Sequence, residues 1–204
     1  YIDYAEGRYG RAKQGFTALQ RSDAYRDVVP YYLLQIEFHE GNYRYVVENG
    51  GKLVQRAVPE RRRELERVIA ESWFRLGDFN RTIEHLDAFT AAGGELDRDG
   101  SYLMGFSLYR TARYPEAAEY LRRACGAEDA LTQNASYHLA DCYLRAGDKR
   151  AAMHAFAMAA DDRFDATIAE DALFNYGKLQ YELGGGAFNG AINVLTRYVE
   201  RYPS

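Results

Sequence analysis

Apolar side chains recur along this chain with helical spacing, and a turn interrupts the pattern about every 35 residues. Tyr137, Ala140 and Leu144 have the i, i+3, i+7 spacing of one helix face, and this segment does not alternate with the period of two typical of a β-strand. Segments of this length would be marginal as isolated helices in water, so each must bury its apolar face against neighbours. The turns are Gly7-Arg8-Tyr9, Gly41-Asn42-Tyr43, Gly77-Asp78-Phe79, Ala112-Arg113-Tyr114, Gly147-Asp148-Lys149 and Gly186-Ala187-Phe188.

The same pattern predicts the helices and their ends. Helices are expected over 9–21, 28–40, 43–57, 59–76, 78–92, 97–111, 114–124, 129–146, 148–160, 166–183 and 187–201, after a truncated helix over 1–6. Asp97, Asp129 and Asp165 stand where N-caps are expected, and Pro59 suits a first helical turn. Gly41, Gly77 and Gly147 stand just past helix ends, where a left-handed residue is needed.

Self-similarity at this period indicates stacked helix pairs, each in contact only with its neighbours. The short connections make successive helices antiparallel neighbours. We expect one repeat array over 1–204 with approximate units 1–25, 26–58, 59–94, 97–126, 129–163 and 166–204. The first and last units are incomplete as repeats, so we expect the array to be a piece of a longer protein.

A code of small and large residues accompanies the period. A small residue occupies one place in the first helix of four pairs, at Ala70, Gly105, Ala140 and Gly177. The second helix carries an early alanine at Ala12, Ala117, Ala152 and Ala191, a bulky residue one turn later at Phe16, Leu86, Leu121, Phe156 and Leu195, and a small residue at Ala124 and Ala159. Proline closes the pattern at Pro203 and approximately at Pro59. The departures are Val46 and Thr82 for the early alanine, Gly50 for the bulky residue, and Phe89 and Tyr198 for the late small one.

In this code and period the chain resembles the tetratricopeptide repeat (TPR) family. The resemblance implies an all-α, right-handed superhelical solenoid of antiparallel helix pairs with about five to six repeats. It also implies a non-catalytic scaffold that binds a peptide or a partner protein. More loosely, the segments 137–143 and 171–179 are similar to long TPR proteins of Gram-negative bacterial envelopes, which implies a periplasmic or envelope location.

In TPR arrays the first helix of each pair lines the concave face, so the resemblance assigns a partner-binding surface there. The residues expected on it are Tyr31, Gln35, Phe38, Arg67, Phe74, Tyr102, Phe106, Tyr109, Asn134, Tyr137, Asp141, Arg145, Phe174, Asn175 and Lys178. Tyr31, Tyr102, Tyr137 and Phe174 occupy equivalent places, with Arg67 in the gap. Tyrosine and arginine anchor many interfaces. An extended or helical apolar peptide would suit such a surface. The alternative is that these rings pack between adjacent repeats.

Composition narrows the function further. The net charge of −4 gives no sign of a nucleic-acid partner. No apolar run approaches the ~20 residues of a membrane span, so we expect no membrane insertion. The four histidines form no HExxH motif, and no phosphate-binding loop or calcium loop is complete, so we expect no catalysis, no metal and no cofactor.

Two alternatives stay open. The array would act as a structural spacer or oligomerisation segment if its interfaces lay on helix backs or at its ends, and exposed apolar ends would favour end-to-end self-association. A cytoplasmic location is the alternative to the envelope, because Cys125 and Cys142 show no obvious disulfide pattern.

Overall fold

All regular secondary structure in the described part of the chain is helical. The computed structural model describes residues 1–161, 164–184 and 188–202. The helices are α1 Ile2–Ala5, α2 Tyr9–Leu19, α3 Val29–His39, α4 Tyr43–Val54, α5 Pro59–Leu76, α6 Phe79–Ala91, α7 Arg98–Arg110, α8 Tyr114–Ala124, α9 Ala130–Arg145, α10 Lys149–Asp161, α11 Ala166–Leu183 and α12 Asn189–Arg201. The predicted turn at Gly186-Ala187 and the closing Pro203 lie outside the described residues.

The predicted helices are confirmed to within a few residues at each end, and two differences have a local cause. The helix expected over 43–57 ends at Val54, because the amides of Arg56 and Ala57 turn back to the carbonyls three residues earlier and Val58 is extended ahead of Pro59. A short 3₁₀ helix at Asp23–Tyr25, which the apolar spacing did not predict, connects α2 to α3.

Left-handed residues end several helices, as the glycine pattern predicts. Gly41, Gly77 and Gly147 have φ of 80°, 81° and 81°. After α5 the amide of Asp78 donates to the carbonyl of Trp73 at 3.0 Å, which closes the helix end as in a Schellman motif. Ala112 adopts the same region with φ 61°, although its side chain disfavours it.

Aspartate side chains begin the helices at the positions that the sequence predicts. The carboxylate of Asp97 accepts from the amide of Gly100 at 2.8 Å, and that of Asp129 accepts from the amide of Thr132 at 2.9 Å. Asp165 accepts from two amides at the start of α11. These bonds satisfy donors that an uncapped helix leaves open, so the three N-cap predictions are confirmed.

The chain forms two compact units. The N-terminal unit, Tyr1–Leu96, contains α1 to α6, and the C-terminal unit, Asp97–Ser204, contains α7 to α12. In both units each helix packs against the next along the chain, and first helices of adjacent pairs also touch, α3 with α5, α7 with α9 and α9 with α11. This neighbour-only packing is that of a helical repeat array.

Close packing between paired helices follows the predicted small–large code. In the C-terminal unit a Cβ at Gly105 would lie 2.8 Å from both Cγ and the backbone N of Leu121. A Cβ at Gly177 would lie 2.7 Å from a methyl group of Leu195. The bulky residue of the second helix therefore occupies the groove that the glycine leaves open. No disulfide joins Cys125 to Cys142; Cys142 is buried and Cys125 is partly buried.

Candidate functional site

The first helices of the C-terminal unit carry a partly exposed aromatic stripe. Tyr102, Phe106 and Tyr109 lie one turn apart on α7, and each is partly exposed. Tyr137 and His138 continue the stripe on α9, which packs beside α7. Spacing of i, i+4 and i+7 places the α7 rings on one side of that helix. We call these five residues the aromatic face.

The rings of the aromatic face touch one another. Tyr102 and Phe106 are stacked with centroids 5.8 Å apart, and Phe106 and Tyr109 are 6.2 Å apart. The imidazole of His138 joins the two helices, since its centroid lies 4.9 Å from both Phe106 and Tyr109. Such distances suit favourable edge-to-face and offset contacts, so the rings hold one another in place.

His138 is the least satisfied polar group of this face. Its Nδ1 is buried and has no hydrogen-bond partner within the described residues. Burial lowers the pKa of His138 to about 4; the nearby Asp141 carboxylate opposes this shift, and the Arg110 guanidinium reinforces it. The imidazole is therefore neutral at physiological pH.

Tyrosine hydroxyl groups tie adjacent first helices together in both units. On the C-terminal unit, Tyr109 donates to Asp141 at 2.9 Å and Tyr137 donates to Asp171 at 2.7 Å. On the N-terminal unit, Tyr31 of α3 donates to Glu64 of α5. Burial, followed by the carboxylate bond, raises the pKa of Tyr109 to about 12 and raises the pKa of Tyr137 as well. These rings therefore pack between adjacent repeats while part of each stays exposed.

The other predicted site residues of the C-terminal unit have more local contacts. Asn134 donates to the carbonyl of Ala130, one turn back on its own helix. Arg145 forms an ion pair with Asp141 at 2.8 Å. Asn175 donates to the carboxylate of Asp171, Phe174 packs against Tyr198 and is 45% exposed, and Lys178 is exposed.

The predicted site residues of the N-terminal unit are less continuous. Gln35 is buried with 7% exposure, so it presents little surface to a partner. Phe38 packs on Tyr43, and Phe74 packs on Phe79. Arg67 forms an ion pair with Glu71 one turn along α5. The ring of Tyr31 contacts Tyr32 at 5.1 Å and lies under Arg61.

Sequence reasoning included Asp141 but missed the other two carboxylates that accept tyrosine hydroxyl groups. Glu64 and Asp171 lie 33 and 34 residues after their tyrosines, which is one repeat. A search for tyrosine followed one repeat later by an acid would have found both. Nothing in the sequence marks the Nδ1 of His138 as lacking a hydrogen-bond partner among the residues that the structure describes. In the described residues no group of three histidine, cysteine or acidic side chains is placed to hold a metal.

Comparisons with known proteins identify the repeat. Residues 134–162 and 171–204 match the model of the tetratricopeptide repeat. No curated protein sequence matches the chain. Among the helices that the structure describes, none has both the length and the apolar character needed to cross a membrane.

Solved structures share the fold at low sequence identity. YrrB, described as a TPR protein with an unusual peptide-binding site, matches with a TM-score of 0.71 at 15% identity, over 93% of this chain and 93% of that one. MamA matches with a TM-score of 0.62 at 18% identity, over 82% and 93% of the two chains. BtubC from P. vanneervenii matches with a TM-score of 0.60 at 16% identity, over 95% and 88%. The predicted helical-repeat fold is confirmed.

Proposed function

We propose that this chain, in which residues 134–162 and 171–204 match the tetratricopeptide repeat, is a non-catalytic scaffold that binds a peptide or a partner protein. TPR domains are typically interaction modules, which supports a scaffold over an enzyme. We propose the aromatic face of α7 and α9 as its principal contact surface.

The continuity of the aromatic face is the observation that carries this proposal. Four aromatic side chains and one imidazole form one connected group on two first helices, and every one of them is partly exposed. Tyrosine offers a large contact area with few torsions to immobilise, so binding on pre-ordered rings costs little side-chain entropy. The hydroxyl bonds of Tyr109 and Tyr137 hold two rings in place before any partner arrives.

The proposed ligand is an extended or helical segment with apolar anchors. The exposed parts of Tyr102 and Phe106 suit apolar side chains, and the Asp141–Arg145 pair at the end of α9 offers polar contacts beside them. The peptide-binding site for which YrrB is described supports a peptide ligand for a chain of this fold. When an extended or helical peptide binds in a groove, side chains at regular spacing along the peptide make the contacts.

A truncation of the aromatic face tests the proposal. Peptides would be selected on the wild-type protein from a displayed random library, and their affinities measured by fluorescence anisotropy for Tyr102→Ala and for Tyr120→Ala. Tyr120 lies on α8, the second helix of the pair, and serves as the matched control. We expect Tyr102→Ala to weaken binding about tenfold or more and Tyr120→Ala to leave it unchanged. Equal affinities for the two variants, with both folded, would refute the proposed surface.

A second candidate role is oligomerisation, which an exposed face of α12 favours. Ile192 and Val199 are 56% and 65% exposed on this helix. We propose that this face supports end-to-end association of the chain, as an alternative to peptide scaffolding. Sedimentation velocity would show concentration-dependent association of the wild type and a monomer for Ile192→Glu. A wild-type monomer at high concentration would remove this role.

We further propose a periplasmic or envelope location for the scaffold, supported by the likeness of segments 137–143 and 171–179 to envelope TPR proteins. Fractionation of the native cells with an antibody against the chain tests it. Recovery in the cytoplasmic fraction alone would refute it.

A further inference from the structure

A cavity of about 240 Å³ lies in the N-terminal unit, whereas the residues of the aromatic face belong to the C-terminal unit. It opens where the start of α3, the end of α4 and the start of α5 meet. Leu53 and Leu65 contribute apolar walls, and Arg26, Arg56 and Arg61 bring three guanidinium groups to the same cavity. The cavity therefore combines apolar walls with positively charged side chains.

The positive charge of this cavity is not neutralised by the protein. In the part of the chain that the structure describes, Arg26, Arg56 and Arg61 form no ion pair. Asp27 is the one acidic residue among the lining residues. Three positive charges, set against the carboxylate of Asp27 and that of Glu64, which accepts the hydroxyl of the lining Tyr31, leave an excess of about one positive charge, in a chain whose net charge is −4. The excess is therefore local and concentrated at one pocket.

The neighbours of Arg61 hold it at the pocket. Its guanidinium lies over the ring of Tyr31 at 5.4 Å, a distance that suits a cation–π contact. Glu64, one turn along α5, accepts the hydroxyl of Tyr31. Arg61 forms no ion pair within the described residues, so its guanidinium keeps N–H donors for a ligand.

We propose that this cavity binds an acidic side chain of a partner peptide together with an adjacent apolar side chain. Guanidinium groups present paired N–H donors that match a carboxylate, and the apolar walls cover the neighbouring side chain. The site shares no residue with the aromatic face, so it adds a second, charge-selective contact to the proposed function. We therefore expect the partner peptide to carry an acidic residue next to a bulky apolar residue.

A pair of blocked dipeptides tests the charge selectivity directly. ¹⁵N-labelled full-length protein would be titrated with acetyl-Glu-Leu-amide and with acetyl-Gln-Leu-amide, while the backbone and arginine Nε–H resonances are followed by NMR. We expect saturable shifts at Arg26, Arg56 and Arg61 with the Glu peptide, and binding about fivefold to tenfold weaker with the Gln peptide. Raising the salt concentration should weaken only the Glu peptide, because salt screens exposed charges.

Two matched variants separate the pocket from a general charge effect. Arg56→Gln should weaken binding of the Glu peptide about fivefold, and Arg11→Gln, an equal charge change at an exposed position of α2, should not. Equal affinity for the two peptides, or equal losses in the two variants, would overturn the proposal. Tyr102→Ala should leave these titrations unchanged, so failure of the aromatic face and failure of this pocket are distinguished.

Discussion

The two units place glycine on opposite sides of a tight helix contact. In the C-terminal unit Gly105 lies on the first helix of a pair and receives Leu121 from the second. In the N-terminal unit Gly50 lies on the second helix, α4, and receives Ile69 from the next first helix, α5. A close crossing needs one small residue, and either helix can supply it.

The comparison explains the divergence of the second repeat. The sequence lacks a bulky residue at Gly50, which by itself predicts a hole in the array. The structure fills the position from the next repeat, since Ile69 is 1% exposed and packs with Leu34 and Val46. The space at Gly50 is therefore filled across the contact between adjacent pairs, whereas the space at Gly105 is filled within one pair.

The largest predicted effect comes from adding one methyl group at each crossing. Gly105→Ala should lower the free energy of unfolding by about 3 kcal/mol, because its Cβ would meet the backbone of Leu121, which cannot rotate away. Gly50→Ala should cost less, since the clash is with the side chain of Ile69. Urea denaturation of each variant measures both changes.

Gly51→Ala is the control for these two variants. Gly51 lies in the same helix as Gly50, and a Cβ there would meet nothing within 4 Å. Alanine should stabilise this position by about 0.5 to 1 kcal/mol, because it is the better helix former. A loss at Gly50 as large as that at Gly105 would contradict the proposed difference between the crossings.

The second prediction concerns the two partly buried histidines, one in each unit. His85 has its Nδ1 2.6 Å from Glu66, whereas the Nδ1 of His138 has no partner within the described residues. With a folded pKa of about 4 against about 6.5 when unfolded, His138 takes up its proton more readily in the unfolded chain. Stability is therefore full above pH 6.5 and decreases as the pH falls towards 4.

The size of that loss is measurable between pH 7 and pH 5. The linkage gives a loss of about 2 kcal/mol over this range for the wild type. His138→Phe keeps an aromatic ring and removes the titration, so its unfolding free energy should change less over the same range. Parallel pH profiles for the two proteins would show that His138 does not carry the dependence.

The third prediction exchanges the turn residues of the units. Ala112 has φ 61° where Gly77 has φ 81°, and a side chain disfavours this region by about 1 to 2 kcal/mol. Ala112→Gly should raise stability by up to about 1 kcal/mol, and Gly77→Ala should lower it by a similar amount. Thermal denaturation of both variants checks the opposite signs; two losses would contradict the strain at Ala112.

The smallest predicted effect removes one hydroxyl group from each unit. Tyr31→Phe and Tyr137→Phe should each cost about 1 kcal/mol, because each breaks a bond between adjacent first helices. Tyr102→Phe is the control, since its hydroxyl has no hydrogen-bond partner in the described chain. Hydrogen exchange in the flanking helices would locate the loss of stability. An equal loss for Tyr102→Phe would show that the hydroxyl hydrogen bonds are not its cause.

Most of the helix pattern could be predicted from local chemistry. Asp97, Asp129 and Asp165 cap helices by bonding to amides two or three residues away, so sequence alone is enough to place them. The 3₁₀ helix before α3 escaped prediction because it has no apolar periodicity of its own.

The candidate surface could be predicted only in part. Helical spacing identified Tyr102, Phe106 and Tyr109 as one stripe, because spacing fixes which side of a helix a residue occupies. It did not identify the buried nitrogen of His138 or the pairing of Tyr137 with Asp171. Those depend on which first helices become neighbours and at what offset, which is a property of the packed array.

The sequence by itself determined the helices, the repeat period and the turns, because backbone hydrogen bonds, caps and left-handed glycines act over a few residues. Only the tertiary structure decided that Ile69 fills the space at Gly50 and that three arginines converge on one cavity. Arg56 and Arg61 lie close together in the chain, and the packing of α3 against α4 and α5 brings Arg26, which is about 30 residues away, to the same cavity. Burial and charge at such places depend on contacts between segments distant in sequence.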